Sequence, residues 1–238
     1  MDNLKELRIR NIEETKKKIK ESVGFDDFIV QAINNIEEIK KVSNILVKRL
    51  REWYELYNPE FSREVSDHSK FVELILANKD KKIKESMGAE LSKEDLNAIK
   101  ELAKEAESLY KFNEKQEEYL KKIMEKNCPN ITAVAGFLIG AKLIELAGRL
   151  KRLVLFPSST VQILGAEKAL FRHMKTGAKC PRHGVIVQHP LIASAPDSEH
   201  GKRARALADK ILLAAKLDYF KGEFLGDKLR KELEEKFR

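Results

Sequence analysis

Cysteine is scarce in this chain: Cys128 and Cys180 are the only two among 238 residues. Each adjoins a proline, and their separation matches neither a disulfide framework nor a zinc spacing, so both are read as unpaired thiols. Glycine (11) and proline (6) are also few, which disfavours turn-rich folds and favours long helices. No apolar run approaches the roughly 20 residues needed to span a bilayer, and the N-terminus is charged rather than signal-like. A soluble, intracellular protein with no membrane partner is expected. Also missing are the Gly-rich phosphate loop with its Lys-Ser/Thr, G-x-S-x-G, H-E-x-x-H and paired cysteines. Each is a template for a class of enzyme or cofactor site, so the expectation is no enzyme, no cofactor and no metal. Cys180, His183 and His189 follow one another closely but fit no familiar zinc arrangement.

What the chain has in abundance is charge, 35% of its residues, on helical patterns. Residues 3–22 read as a charged helix ending near Gly24. From Asp27 onward, Ile29, Ile36, Leu50 and Tyr57 lie seven residues apart or a multiple of seven, and Ala32, Ile39, Leu46 and Trp53 stand three later. Only Ser43 interrupts this seam, and Asn58-Pro59 should end the helix. A short helix is expected over Asp67–Asn78, then a Lys-rich loop through Gly88. Ser92, with Asp95 in the capping-box position, should start a second long helix to about Asn127. Its seam runs through Ile99, Leu102, Ala106, Leu109, Leu120 and Ile123. Asn113 and Gln116 fall in mid-seam, either as a register device or as the place where another element packs. Two such helices should fold back as an antiparallel pair.

Beyond Pro129 the texture changes. An apolar helix with many Gly and Ala is expected over Asn130–Leu150, and a helix capped by Ser158 or Ser159 over the residues to about Lys175. Thr176–Pro190 reads as a loop with a short apolar VIV. Two closing helices should cover Ser198–Phe220 and the residues from Asp227. Residues 151–221 hold 13 Lys and Arg against 5 Asp and Glu, which equals the whole net charge of +8. They also hold four of the five histidines. Focused in this way, the charge is the footprint of a phosphate-backbone reader. Lys168, Arg172 and Lys175 share one helical face, and Lys179, Arg182 and His183 extend it into the loop. Pro181 and Gly184 should hold Arg182 and His183 outward at a loop tip, where a planar side chain can stack on an unpaired base. Solvated cations on a plain helical bundle, or a coiled-coil adaptor protein whose basic face meets acidic protein partners, are the alternative readings.

The stretch GAEKALFRHMKTGAKCPRHG resembles the signature of the Nop domain, found in the archaeal and nucleolar box C/D ribonucleoprotein scaffold and more distantly in a spliceosomal factor. RLREWYELYNPEF and ETKKKIKESVGFDDFIVQAI are similar to the scaffold's coiled-coil region, so the resemblance covers nearly the whole chain. The intact Glu167 to Phe171 run favours the box C/D branch. The resemblance implies an all-α protein. An antiparallel coiled-coil domain over residues 1–128 would homodimerise, and a compact helical Nop domain over residues 129–238 would follow. It implies a non-catalytic scaffold, in the cytoplasm of an archaeal cell, that binds kink-turn RNA together with a small ribosomal-protein-like kink-turn-binding protein and supports 2′-O-methylation of RNA. Lys168, Arg172, Lys175 and Lys179, with Arg182 and His183, are thereby candidates to face RNA, and Gly165 and Ala166 are candidates for close approach. The family's archaeal scaffold has an N-terminal domain that docks the methyltransferase fibrillarin. Nothing in this chain corresponds to it, so fibrillarin is expected as a partner only where that domain is present.

Overall fold

The structure is a computed structural model that describes residues 2–79 and 86–237. Most of the Lys-rich loop expected before Gly88 lies outside the described residues. Every regular element among them is helical, so the fold is all-α. Packing divides the chain into two compact units, Asn34–Tyr119 and Met1–Ile33 with Leu120–Arg238.

In the 34–119 unit, helix α2 (Phe25–Tyr54) and helix α5 (Lys93–Asn127) contribute the long arms, with the short α3 (Pro59–Glu64) and α4 (His68–Leu76) between them. Asn35 Nδ2 donates to Gln116 Oε1 at 3.1 Å, while Val47, Leu50 and Tyr54 share a core with Ile99, Ala103 and Ala106. That pairing makes the two helices antiparallel. The seam differs from the strict seven-residue pattern. Trp53 is exposed and Tyr54 is buried, Leu46 is only half-buried beside a buried Val47, and Ala103 is more deeply buried than Leu102. A 3.6-residue helix drifts against a 3.5-residue repeat, so the inner face moves on by one position. Ser43 does not interrupt the seam: it is 1% exposed, and its hydroxyl donates to the Ile39 carbonyl. Of the polar mid-seam pair, Gln116 accepts from Asn35 on α2, whereas Asn113 donates to Glu117 on its own helix at 2.9 Å, and Glu117 in turn pairs with Lys40 of α2 at 2.7 Å.

The α2 helix stops at Tyr54, earlier than expected, and Pro59 opens α3. The buried Asn58 caps α3 by accepting from Phe61 N at 3.2 Å. Tyr54, Phe61 and Phe71 then pack with ring centroids 5.5–5.7 Å apart, and such pairs contribute about 0.5–1.5 kcal/mol each beyond their buried area. One guanidinium ties this end together. Arg51 donates through Nε to His68 Nδ1 at 2.9 Å, through Nη1 to Ser62 O at 2.8 Å and through Nη2 to Val65 O at 2.6 Å. The same group lies 4.2 Å from the centre of the Phe71 ring. At the start of α5, Ser92 Oγ accepts from Asp95 N at 3.1 Å, the expected capping contact.

The other unit begins with α1 (Asp2–Ser22), whose described side chains are all exposed. Its core is built by α6 (Pro129–Ala135), α7 (Phe137–Ala147), α8 (Leu150–Leu155), α9 (Ser158–Ile163), α12 (Asp197–Tyr219) and α13 (Gly226–Lys236). Central in it is α12, which buries Ala204, Leu207, Ala208, Ile211, Ala214 and Ala215. Its Asp218 reaches the start of α6, accepting from Asn130 N at 3.0 Å and Ile131 N at 2.9 Å. Two expected helices are each broken in two. Asn130–Leu150 bends by 114° between α6 and α7, because Gly136 takes a left-handed φ of +81° that stops one helix and starts the next. The second break, at 164–166, separates α9 from α10 (Glu167–Thr176), and neither Ser158 nor Ser159 caps α9, whose cap residue is Pro157. The expected VIV loop folds as a 3₁₀ turn, Val185–Gln188, with Ile186 fully buried, followed by the one-turn α11 (Pro190–Ala193). No single helix among the described residues is long and apolar enough to cross a membrane.

Candidate nucleic-acid interface

The break before α10 is what aims it. Gly165 has a φ of +88° and a Cβ there would stand 2.7 Å from Val185 Cγ2, so both its turn and its packing exclude a side chain. Its amide donates to Glu167 Oε1 at 2.7 Å, which places the acid of the first turn at the positive end of α10. Ala166 is the cap residue of α10 and is half-buried. Next to this corner the returning loop presses equally close. A Cβ on Gly184 would lie 1.9 Å from Leu164 O. The loop is fixed there by Gly184 N to Gln162 O at 2.8 Å, Val185 N to Leu164 O at 2.9 Å, and Gln162 Nε2 to Arg182 O at 2.7 Å.

No side chain of α10 is fully buried. Ala169, Leu170 and His173 are half-buried, and the remaining side chains are exposed. A His173 ring nitrogen meets Ala178 O, and Gly177 closes the helix with its N–H on His173 O at 2.8 Å. The helix is therefore held at its two ends. Lys168, Arg172 and Lys175 lie together on its outer face, exposed and, among the described residues, without a hydrogen bond or ion pair through their side chains. Lys179 follows in the loop, exposed and likewise without a side-chain partner among the described residues. Phe171 lies within the cationic stripe at 57% exposure and Met174 beside it at 61%. Neither is among the six RNA candidates drawn from the sequence, although an aromatic interleaved among basic residues at 168, 172 and 175 is a signal visible there.

Arg182 and His183 are not displayed outward at a loop tip. Arg182 Nη1 donates to Asp197 O at 2.9 Å and to Asp197 Oδ2 at 3.0 Å, so its guanidinium folds onto the start of α12. The His183 ring packs against the His200 ring, with centroids 5.5 Å apart and planes tilted by 59°. Burial, reinforced by His200, holds His183 below its ordinary value of 6.5, so at neutral pH it presents an uncharged ring. The physical reason is the grip of Gly184 and Gln162 on the loop, which brings 182–183 against α12 instead of into solvent. Of the six RNA candidates, the structure gathers four, Lys168, Arg172, Lys175 and Lys179, on or beside α10 and sets the other two against α12. His189 serves the fold: its Nδ1 accepts from Leu191 N at 3.2 Å, and burial pushes its pKa down.

Comparison with known proteins agrees with this architecture. Residues 35–238 match the Nop family, described as "snoRNA binding domain, fibrillarin", and the chain belongs to that family. It is 40% identical to an uncharacterized NOP5 family protein of Methanocaldococcus jannaschii, over 96% of this chain and 61% of that one. It is 37% identical to nucleolar protein 58 of Dictyostelium discoideum, over 81% of this chain and 34% of that one. Nucleolar protein 56 of Caenorhabditis elegans is 34% identical over 88% of this chain and 50% of its own. The chain thus spans less than two thirds of the length of each of these curated relatives. Among solved structures, the crystal structure of a fibrillarin/Nop5p complex superposes with a TM-score of 0.59 at 28% identity, over 98% of this chain and 77% of that one.

Proposed function

We propose that this chain is a non-enzymatic scaffold of a box C/D-type ribonucleoprotein, binding kink-turn guide RNA together with its kink-turn-binding, ribosomal-protein-like partner. The observation that carries this reading is the face of α10. Three exposed cations with no partner among the described residues, Lys168, Arg172 and Lys175, flank an exposed Phe171. Cations alone suit RNA phosphates, and an apolar pair such as Phe171 and Met174 suits a protein surface, so the combination favours a composite ligand over bare RNA. In this reading residues 129–238 are the RNA-protein-binding domain. Residues 1–128 form the coiled-coil domain that homodimerises. Val42, Ile45, Trp53 and Leu56 support that second role, because they leave apolar side chains exposed along one outer face of α2 and its following turn. The methyl-transfer chemistry of guide-directed 2′-O-methylation belongs to fibrillarin, a partner suggested by the Nop5p complex to which the fold is similar.

Mobility-shift titration of a box C/D kink-turn RNA, with and without the kink-turn-binding protein, tests the reading. The expected result is a shift that strengthens when that protein is present. Absence of any shift at low salt in both arms would overturn it in favour of an adaptor for acidic proteins. Methyl transfer by the pure chain supplied with a methyl donor would overturn the non-enzymatic assignment.

A further inference from the structure

Between α6, α11, α12 and α13 lies a cleft of about 450 Å³, lined in part by Thr132, Ala133, Ala135, Ser194 and Glu234, a volume within the usual range for small-ligand sites. None of its lining residues belongs to α10. The bend at Gly136 turns α7 away from α6, so the last carbonyls of α6 have no next turn to accept from. Thr132 O accepts from Gly136 N at 3.0 Å, and the Val134 backbone is engaged by the His189 ring. The carbonyls of Ala133 and Ala135 accept no hydrogen bond among the described residues. Two hydroxyls on the cleft have given their hydrogens away: Thr132 Oγ1 donates to Cys128 O at 2.8 Å and Ser194 Oγ to Pro190 O at 2.7 Å. Each can now only accept. Glu234 takes Arg230 Nε on Oε1 at 2.9 Å and keeps Oε2. The cations are already matched. Arg203 donates to Glu199 Oε2 at 2.8 Å and to Leu191 O at 3.1 Å, and its guanidinium lies 5.2 Å from the centre of the Phe237 ring. Arg230, exposed at the rim, is balanced by Glu234. The negative end of α6 therefore adds a partial charge with nothing opposite it.

We infer that this cleft receives an arginine side chain of a protein partner, its guanidinium held by Glu234, the Thr132 and Ser194 hydroxyls and the end of α6. A planar group with five N–H donors and no acceptor suits a wall of acceptors. Leu191 and Leu233, also on the lining, can cover its apolar stem. A phosphate in the same place would meet carbonyl and carboxylate oxygens and be repelled. A divalent ion is disfavoured as well, because Glu234 is the one carboxylate on the lining, and no group of three or more metal-ligating side chains occurs among the described residues. The chain as a whole carries +8, so a cation that settles here is drawn by these local acceptors and not by the long-range field. The cleft is thus opposite in chemistry to the cationic face of α10, and the inference does not rest on RNA binding.

The test titrates the whole chain with N-acetyl-arginine methylamide and follows it by NMR. Saturable shifts confined to the amides of residues 132–136 and 191–194 and to the His189 ring are expected. N-acetyl-citrulline methylamide keeps the length without the charge and should bind about tenfold more weakly, as for loss of a hydrogen bond to a charged group. Glu234→Gln should weaken arginine binding to a similar extent. Arg230→Ala, which frees the Glu234 carboxylate, should tighten it, a gain that misfolding cannot produce. Absence of saturable shifts in the wild type would overturn the site. Equal affinity for the arginine and citrulline probes would also overturn it, leaving an apolar crevice, and shifts at these residues with inorganic phosphate but none with arginine would replace it with an anion site.

Discussion

Arg182 reaches across from the loop to Asp197 and spends one guanidinium nitrogen on both its backbone carbonyl and its carboxylate, at 2.9 and 3.0 Å. A residue expected to meet RNA directly is thereby first a brace between the 177–189 segment and the start of α12. A lysine keeps the charge but offers no planar fork. Arg182→Lys should therefore change global stability by less than about 1 kcal/mol, as for other largely exposed ion pairs, while loosening the loop. Faster amide hydrogen exchange around Cys180–Gly184, with weaker RNA binding at an unchanged salt slope, is the expected outcome. Unaltered exchange there would show that the brace is dispensable.

The cations of α10 should behave in the opposite way. Lys175→Ala and Lys168→Ala remove side chains that are exposed and make no hydrogen bond or ion pair with a described residue, so unfolding free energies should stay within about 0.5 kcal/mol of wild type. Each should reduce the salt slope of RNA binding by about one unit. Denaturant titration and salt-dependent anisotropy on the same samples check both halves.

Gly184→Ala is expected to be costly, although alanine is only one methyl larger. Its Cβ would overlap Leu164 O at 1.9 Å, and relieving that overlap breaks the Val185 N to Leu164 O bond. Strain of this kind costs on the order of 1–3 kcal/mol. A thermal midpoint equal to wild type would mean that the loop can retreat from α9 without penalty.

At the far end of α2, Arg51→Lys should destabilise the 34–119 unit, because an ammonium cannot serve His68, Ser62 O and Val65 O together. Hydrogen bonds to a charged group contribute about 1.5–3 kcal/mol in such settings, and partial exposure of Arg51 places the expected loss at the lower end. Urea unfolding followed by the fluorescence of Trp53 and the nearby tyrosines measures it.

Stability should also fall in mild acid. Burial holds both His68 and His189 below their ordinary value of 6.5, with Arg51 adding to the effect at His68. The unfolded chain then binds more protons than the folded one in the interval below 6.5, so stability is fully present above that value. It is lost as the pH falls from 6.5 toward the depressed folded-state values. Protonation would also cancel the acceptor that His189 offers Leu191 N and the one that His68 offers Arg51. His189→Gln should flatten that acid limb. A limb of the same depth in this variant would assign the loss to other groups.

The long helices were legible in the sequence because periodic apolar residues and a Ser92 cap act locally. The drift from Trp53 to Tyr54 was not, since a seven-residue template hides the mismatch with 3.6 residues per turn until a partner helix is present. The breaks at Gly136 and Gly165 were underestimated for a related reason: a glycine within an apolar run fits either a tight helix contact or a left-handed turn, and only the packing decides. The cationic face of α10 could be read from spacing alone, as its members sit on one short helix. The inward turn of Arg182 and His183 depends on Asp197 and His200, whose proximity across the fold leaves no trace in local order.

Because α10 is fastened at its ends and contributes no fully buried side chain to the core, its sequence is nearly released from the demands of folding. Selection acting on this helix would therefore record encounters with other molecules. Retention across the family of its exposed residues Lys168, Phe171, Arg172, Met174 and Lys175 would be evidence of a ligand, whereas the same retention in α12, filled with buried alanines and leucines, would say only that the core must close. The ten residues of α10 are accordingly the place where related chains could diverge in what they bind without losing the fold that presents it.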